Sequence, residues 1–222
     1  ILDDISPLRE YDVTAAAKLF PVKTVPWYKP SSRVGSQGDA EWIGENPPFG
    51  ATFTYFMSDK LKSKKDIRKA AEKKGTGKFP GWDALEAENL QDGPSIVLVI
   101  KDARGNVINT VKGTNKEGFN RVSWNLSYPN KNGERLEEPK GRRGRRRGGI
   151  MVTPGEYSVT LMKRVDGLNT VLQGPESFSV EPVFESALPR KSNEVVDSFR
   201  DATFAFQQDL TATEIALSTS QK

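Results

Sequence analysis

The chain has no cysteine and no histidine among its 222 residues. Without cysteine there can be no disulfide and no thiolate nucleophile or metal ligand. Without histidine the commonest general base and metal ligand at neutral pH is gone. No apolar run approaches the ~18 residues of a membrane-spanning helix. The opening Ile1-Leu2-Asp3-Asp4 also lacks the basic start and apolar core of a secretory signal peptide, an absence without meaning if the chain is a C-terminal part. There is no Gly-x-Ser-x-Gly elbow and no phosphate-cradling loop. Paired carboxylates exist at Asp3/Asp4 and Glu137/Glu138. Neighbours on a strand point to opposite faces, so Asp3 and Asp4 cannot converge on one substrate. Glu86 and Glu88 sit in a segment with no apolar surroundings to shift a pKa. No catalytic residue, metal site or cofactor is assigned.

What is present is a β pattern over Ser95–Val180. Ser95–Ile100 is an unbroken aliphatic run, stopped at Asp102–Gly105, where Asp suits the first position of a type I turn and Gly the last. Asn106–Val111 returns. After Gly113 and Gly118, Phe119–Leu126 follows with Val122, Trp124 and Leu126 on one face. Pro154-Gly155 sets another turn, followed by Tyr157, Val159 and Leu161 on one face and Ser158 and Thr160 on the other. Ser177–Val180 alternates again. Strands this short and this regularly punctuated predict an antiparallel β-sandwich with Leu98, Ile100, Val122, Trp124, Tyr157, Val159 and Leu161 in its core. A hydrophobic content of 36% fills one such core but not two.

The order of these signals resembles a known family. Val97-x-Leu-x-Ile-x-Asp102-x-x-Gly105-x-Val107, then Gly118-x-Asn120-x-Val122-x-Trp124-Asn125-Leu126, then Val152-x-Pro154-Gly155-x-Tyr157-x-Val159-x-Leu161 is similar to the immunoglobulin/fibronectin type III-like domain of flagellar hook-capping proteins and many secreted bacterial proteins. Ile1–Arg9 resembles the last propeller strand and exit of bacterial sortilin-like proteins with neuraminidase-type repeats. Pro48–Tyr55 and the Pro189-Arg190 pair fit the segments that follow in those proteins. The resemblance implies four parts: residues 1–9 as the last strand of a β-propeller, 10–48 as a linker, 49–184 as the sandwich with insertions at 58–93 and 129–150, and 185–222 as a helical tail. It further implies a bacterial protein of the periplasm, cell surface or exterior. The segment would be a non-catalytic module that stabilises the propeller and supports protein or glycan binding. An accessory domain of a glycosyl-hydrolase-like enzyme, with the chemistry in the propeller, is the alternative.

Three segments carry the candidate contacts. Asp12–Lys18 has the composition of a helical turn or two, and the linker around it holds Phe20, Trp27, Tyr28 and Trp42. These rings either pin the linker to the fold or form a sugar-stacking platform, with Trp27, Tyr28 and Trp42 as ligand contacts. Lys140, Arg142, Arg143, Arg145, Arg146 and Arg147 hold six of the 33 basic residues; without them 27 basic residues face 29 acidic ones. The net charge of +4 thus comes from one loop. That loop is either a solvated hairpin insertion or an anion-contacting arm. Nucleic acid is disfavoured, because no aromatic residue between Pro129 and Ile150 could stack on bases.

Two helices are expected outside the strands. Ser63–Asp66 reads as a capping box opening a charged surface helix that ends at Gly75, with Ile67, Ala70 and Ala71 as its apolar stripe. A short second turn is expected over Asp83–Asn89. Ser192–Lys222 reads as one long helix, with Val195, Phe199, Ala202, Phe206, Leu210, Thr213 and Leu217 as a stripe. The stripe is expected to dock within the parent assembly, or else to pair with another helix.

Overall fold

The structure, a computed structural model, describes residues 15–30, 47–77, 79–129, 149–184, 189 and 191–220. The expected propeller strand 1–9, Trp42 and the Lys140–Arg147 run lie outside the described residues. The chain is mainly β, with two sheets and a C-terminal helix. Its strands are β1 (Ala17–Leu19), β2 (Val25–Trp27), β3 (Ala51–Met57), β4 (Ser95–Asp102), β5 (Val107–Gly113), β6 (Gly118–Trp124), β7 (Gly155–Val165) and β8 (Leu168–Pro182). Its helices are α1 (Lys64–Lys73), α2 (Trp82–Asn89) and α3 (Asn193–Ser220).

One sheet has the order β1-β3-β6 and the other β2-β8-β7-β4-β5. All pairs are antiparallel except β2 with β8. One of the sheets curls into a half-barrel. Strict period-two alternation sets the register, because a one-residue slip would turn every apolar side chain outward. β3 buries Ala51, Phe53, Tyr55 and Met57, and β4 buries Ile96, Leu98 and Ile100. On β7, Leu161 lies opposite Leu98 and Val159 opposite Ile100.

Aromatic rings join the two sheets. Phe53 of β3 meets Phe178 of β8 edge to face at 5.6 Å. Phe178 stacks on Tyr157 at 6.0 Å, and Tyr157 meets Trp124 of β6 at 5.9 Å. All four rings are buried. Their polar ends are paired: Trp124 Nε1–H donates to Ser127 O at 3.0 Å, and Tyr157 Oη–H to Thr153 O at 2.5 Å. Tyr55 likewise donates to Thr114 O at 2.7 Å. Burial raises the Tyr55 and Tyr157 pKa values, partly offset by these bonds, so both hydroxyls stay protonated donors.

Several expectations change. Two pieces of the expected linker are strands: Ala17–Leu19 pairs with β3, and Val25–Trp27 pairs with β8. Leu19, Phe20 and Val25 are buried, so this stretch belongs to the core. Strands of three residues are too short to show alternation, and Pro26 is tolerated because β2 is an edge strand. No helical turn forms over the described residues of Asp12–Lys18; Ala17 and Lys18 lie in β1. Val122 faces the core side but is only half-buried. Leu126 is buried, yet it lies beyond β6 with φ of 56°, in the turn that brings Ser127 back to Trp124. The expected strand at Ser177–Val180 is the end of the 15-residue β8.

One glycine is required by this packing. Gly50 has φ of +106°, and a Cβ there would meet Trp124 O at 1.9 Å. Gly50→Ala is therefore expected to destabilise the fold by about 2–3 kcal/mol, measured by urea denaturation; an unchanged midpoint would contradict the packing.

Candidate interaction surfaces

The linker aromatics divide in two. Trp27 is half-buried against the core, and its Nε1–H donates to Val152 O at 2.7 Å. Its own carbonyl accepts from Val183 N at 3.2 Å. Trp27 therefore pins β2 to the fold. Tyr28, one residue on, is exposed and braced edge to face by Phe49 at 5.0 Å. A cleft of about 320 Å³ is lined by residues that include Pro21, Pro26, Pro48, Thr52, Thr54 and Arg121. Threonine hydroxyls and a guanidinium beside proline rings are chemistry suited to a polar ligand with apolar faces.

The insertion between β3 and β4 forms a helical arm. Ser63 caps α1 through a reciprocal box with Asp66, as the residues predict. Arg68 joins the two helices: its Nε and Nη2 donate to the Glu88 carboxylate at 2.8 and 2.9 Å, and Nη1 donates to Glu72 at 2.6 Å. These hydrogen bonds hold Glu88 below its ordinary carboxylate pKa, against the opposing effect of partial burial. The expectation of an unperturbed Glu88 is thus corrected, because it took no account of Arg68 twenty residues away. Lys64 N donates to Gln91 Oε1 at 2.8 Å, so α2 runs back along α1. The base is tied to the β7–β8 turn through Lys64–Asp166 and Gln91–Asp166.

The C-terminal helix is held by a polar clamp. The Arg200 guanidinium lies 4.3 Å from the centre of the Tyr128 ring and pairs with Asp197 at 2.5 Å and Asp201 at 3.2 Å. Phe204 meets the edge of Tyr128 at 5.9 Å. Thr153 Oγ1 donates to Asp197 at 3.1 Å, and Asn193 Nδ2 donates to Pro154 O at 2.7 Å. Burial pushes the Tyr128 pKa well up, with Arg200 opposing.

The docked face is therefore Asn193, Asp197, Arg200 and Phe204. The expected stripe of Val195, Phe199, Phe206, Leu210 and Leu217 is exposed. At 100° per residue it lies on nearly the opposite side of α3. The docked residues also recur at helical spacing, but three of the four are polar, so a search for apolar periodicity passes over them. Tyr128 lies 72 residues from Arg200, and no local signal links the two.

No protein-family model matches the chain, and neither the curated proteins nor the solved structures gave a match to it.

Two outcomes follow from these contacts. Arg200→Met should loosen α3 by about 1–2 kcal/mol, read as a roughly tenfold rise in amide exchange over Asn193–Phe204. The arm should lose helicity in acid. Glu88 has a lower pKa folded than unfolded, so its stabilisation is present above the ordinary carboxylate range and is lost as pH falls through the folded value. Glu88→Gln should remove that part of the pH dependence, followed by circular dichroism between neutral pH and about pH 2.

Proposed function

We propose that this chain is a non-catalytic scaffold and interaction module. In this reading the two sheets form an immunoglobulin/fibronectin type III-like sandwich. The chain is then the C-terminal part of an exported or cell-surface bacterial protein resembling sortilin-like propellers with neuraminidase-type repeats. There it stabilises the propeller and supports protein or glycan binding. One observation carries the reading. The polar groups that reach the core are spent on holding elements together: Trp27 on Val152, Trp124 on Ser127, Tyr55 on Thr114 and Tyr157 on Thr153. Among the described residues, no buried side-chain nitrogen or oxygen lacks a hydrogen-bond partner. A scaffold satisfies its interior in this way, whereas a reactive centre keeps a polar group poised for substrate.

The braced Tyr28 ring and the cleft lined by Thr52, Thr54 and Arg121 favour a glycan or peptide as the bound partner. The same surface would serve as a rim if the parent were a glycosyl-hydrolase-like enzyme. Binding of the full chain to a glycan array tests this. Tyr28→Ala should weaken binding about tenfold without altering Tm, whereas Trp27→Ala should lower Tm because it also loses the bond to Val152. Turnover of a glycan by this chain would overturn the scaffold reading. So would coding sequence upstream of Ile1 without Ser-x-Asp-x-Gly-x-x-Trp repeats overturn the propeller parent.

A further inference from the structure

The arm and α3 carry complementary surfaces that do not meet within one molecule. The Lys64–Gln91 and Arg68–Glu88 bonds fix the register of the arm, and continuing it sets Lys74 level with Trp82. The tip therefore gathers Lys73, Lys74, Phe79 and Trp82, with Lys69 one turn below Lys73. Phe79 and Trp82 form an edge-to-face pair at 5.4 Å while remaining 66% and 78% exposed. An exposed aromatic pair is costly to leave in water and contributes nothing to the core. Lys65, Lys69 and Lys73 follow at i, i+4 and i+8, a like-charge row that disfavours the isolated helix. Of the acids on the arm, Glu72 and Glu88 are engaged by Arg68 and Asp66 by the cap, while Asp83 follows Trp82 in the first turn of α2, level with Lys73, and Glu86 follows on that helix.

The exposed stripe of α3 has the opposite character. Phe199 and Phe206 are 75% and 68% exposed, and Leu210 and Leu217 continue the row. By helical spacing Asp209 and Glu214 border it on either side. The single cation of α3, Arg200, is spent on the far face. An acid-bordered apolar stripe is repelled by an anionic lipid surface and by a second stripe of its own kind, and it matches an aromatic tip flanked by lysines. The arm is rooted at Asp166, just past the end of β7, and α3 is clamped at Thr153 and Pro154, just before its start. The 11 residues of β7 separate these points by roughly 33 Å, and Phe79, Trp82, Phe199 and Phe206 all stay largely exposed, so the tip and the stripe do not cover each other within one chain.

We propose that the stripe Phe199–Phe206–Leu210 of α3 is the docking face for the Phe79–Trp82 arm tip of a second copy of this chain. Two copies lying antiparallel put each arm on the other's helix, a closed twofold contact. Five large apolar side chains per contact, at the exposures above, remove about 1,200 Å² over both contacts, the lower end of specific interfaces. The association is thus weak, in the micromolar range, and weakened by salt. It is independent of the scaffold reading, since either can fail alone.

Sedimentation equilibrium of the full chain from about 5 to about 200 μM at low salt is the test. The mass should rise from 24.6 kDa toward twice that value with concentration. Phe79→Ala with Trp82→Ala, and separately Phe206→Ser with Leu210→Ser, should each weaken association at least about tenfold with unchanged far-ultraviolet circular dichroism. Lys73→Glu and Asp209→Lys should each weaken it alone, and mixing the two variant proteins should restore it, because both contacts of the mixed pair regain opposite charges. A chain that stays monomeric over the whole range overturns the proposal. Loss through the α3 changes but not the arm changes would overturn it in favour of helix pairing with helix, and failure of the mixed pair would overturn it as well.

Discussion

The line of four rings from Phe53 through Phe178 and Tyr157 to Trp124 is what the remainder of the molecule leans on. It crosses from one sheet to the other, and each large ring buries on the order of 150–250 Å², so the two sheets are held by aromatic packing as much as by aliphatic contacts. Its polar ends set the neighbouring loops. Trp124 draws back the chain at Ser127, and Asn109 of β5 donates to the same carbonyl at 2.8 Å. Tyr157 fixes Thr153, and Thr153 in turn receives α3 through Asp197. One of the contacts that place the C-terminal helix thus runs back to the hydroxyl of a core tyrosine, alongside those of Tyr128 and Pro154.

That chain of dependence explains why α3 docks by its polar side. The loop after β6 presents Tyr128, and the loop before β7 presents Thr153 and Pro154 O. These partners are an aromatic face, a hydroxyl and a carbonyl. They select a guanidinium, a carboxylate and an amide, which α3 supplies at Arg200, Asp197 and Asn193. Once that side is committed, helix geometry turns Phe199, Phe206 and Leu210 away from the sheets. The arm is built on the same logic: Arg68 takes two carboxylates and holds α1 to α2, leaving Phe79 and Trp82 outside.

Much of the β framework was legible in the residues because alternation is a local signal. Leu98, Ile100, Trp124, Tyr157, Val159 and Leu161 are all buried as their spacing requires, and the turn at Asp102–Gly105 closes with Gly105 N donating to Asp102 O at 3.0 Å. The capping box at Ser63 was equally readable, since its partners are three residues apart. The candidate surface was only half readable. Trp27 and Tyr28 look alike as neighbouring aromatics, and their different roles depend on Val152 and Phe49, which are far off in sequence.

The amino-acid order alone determined the period-two core, the capping box of α1, and a chemistry without imidazole or thiol, because these rest on residue type and on neighbours within a few positions. Only the tertiary structure decided that 17–19 and 25–27 are strands, that Trp27 anchors while Tyr28 lies at the surface braced by Phe49, and which side of α3 faces inward. Those outcomes depend on pairings between residues tens to more than a hundred positions apart, and no local periodicity encodes a partner at that distance.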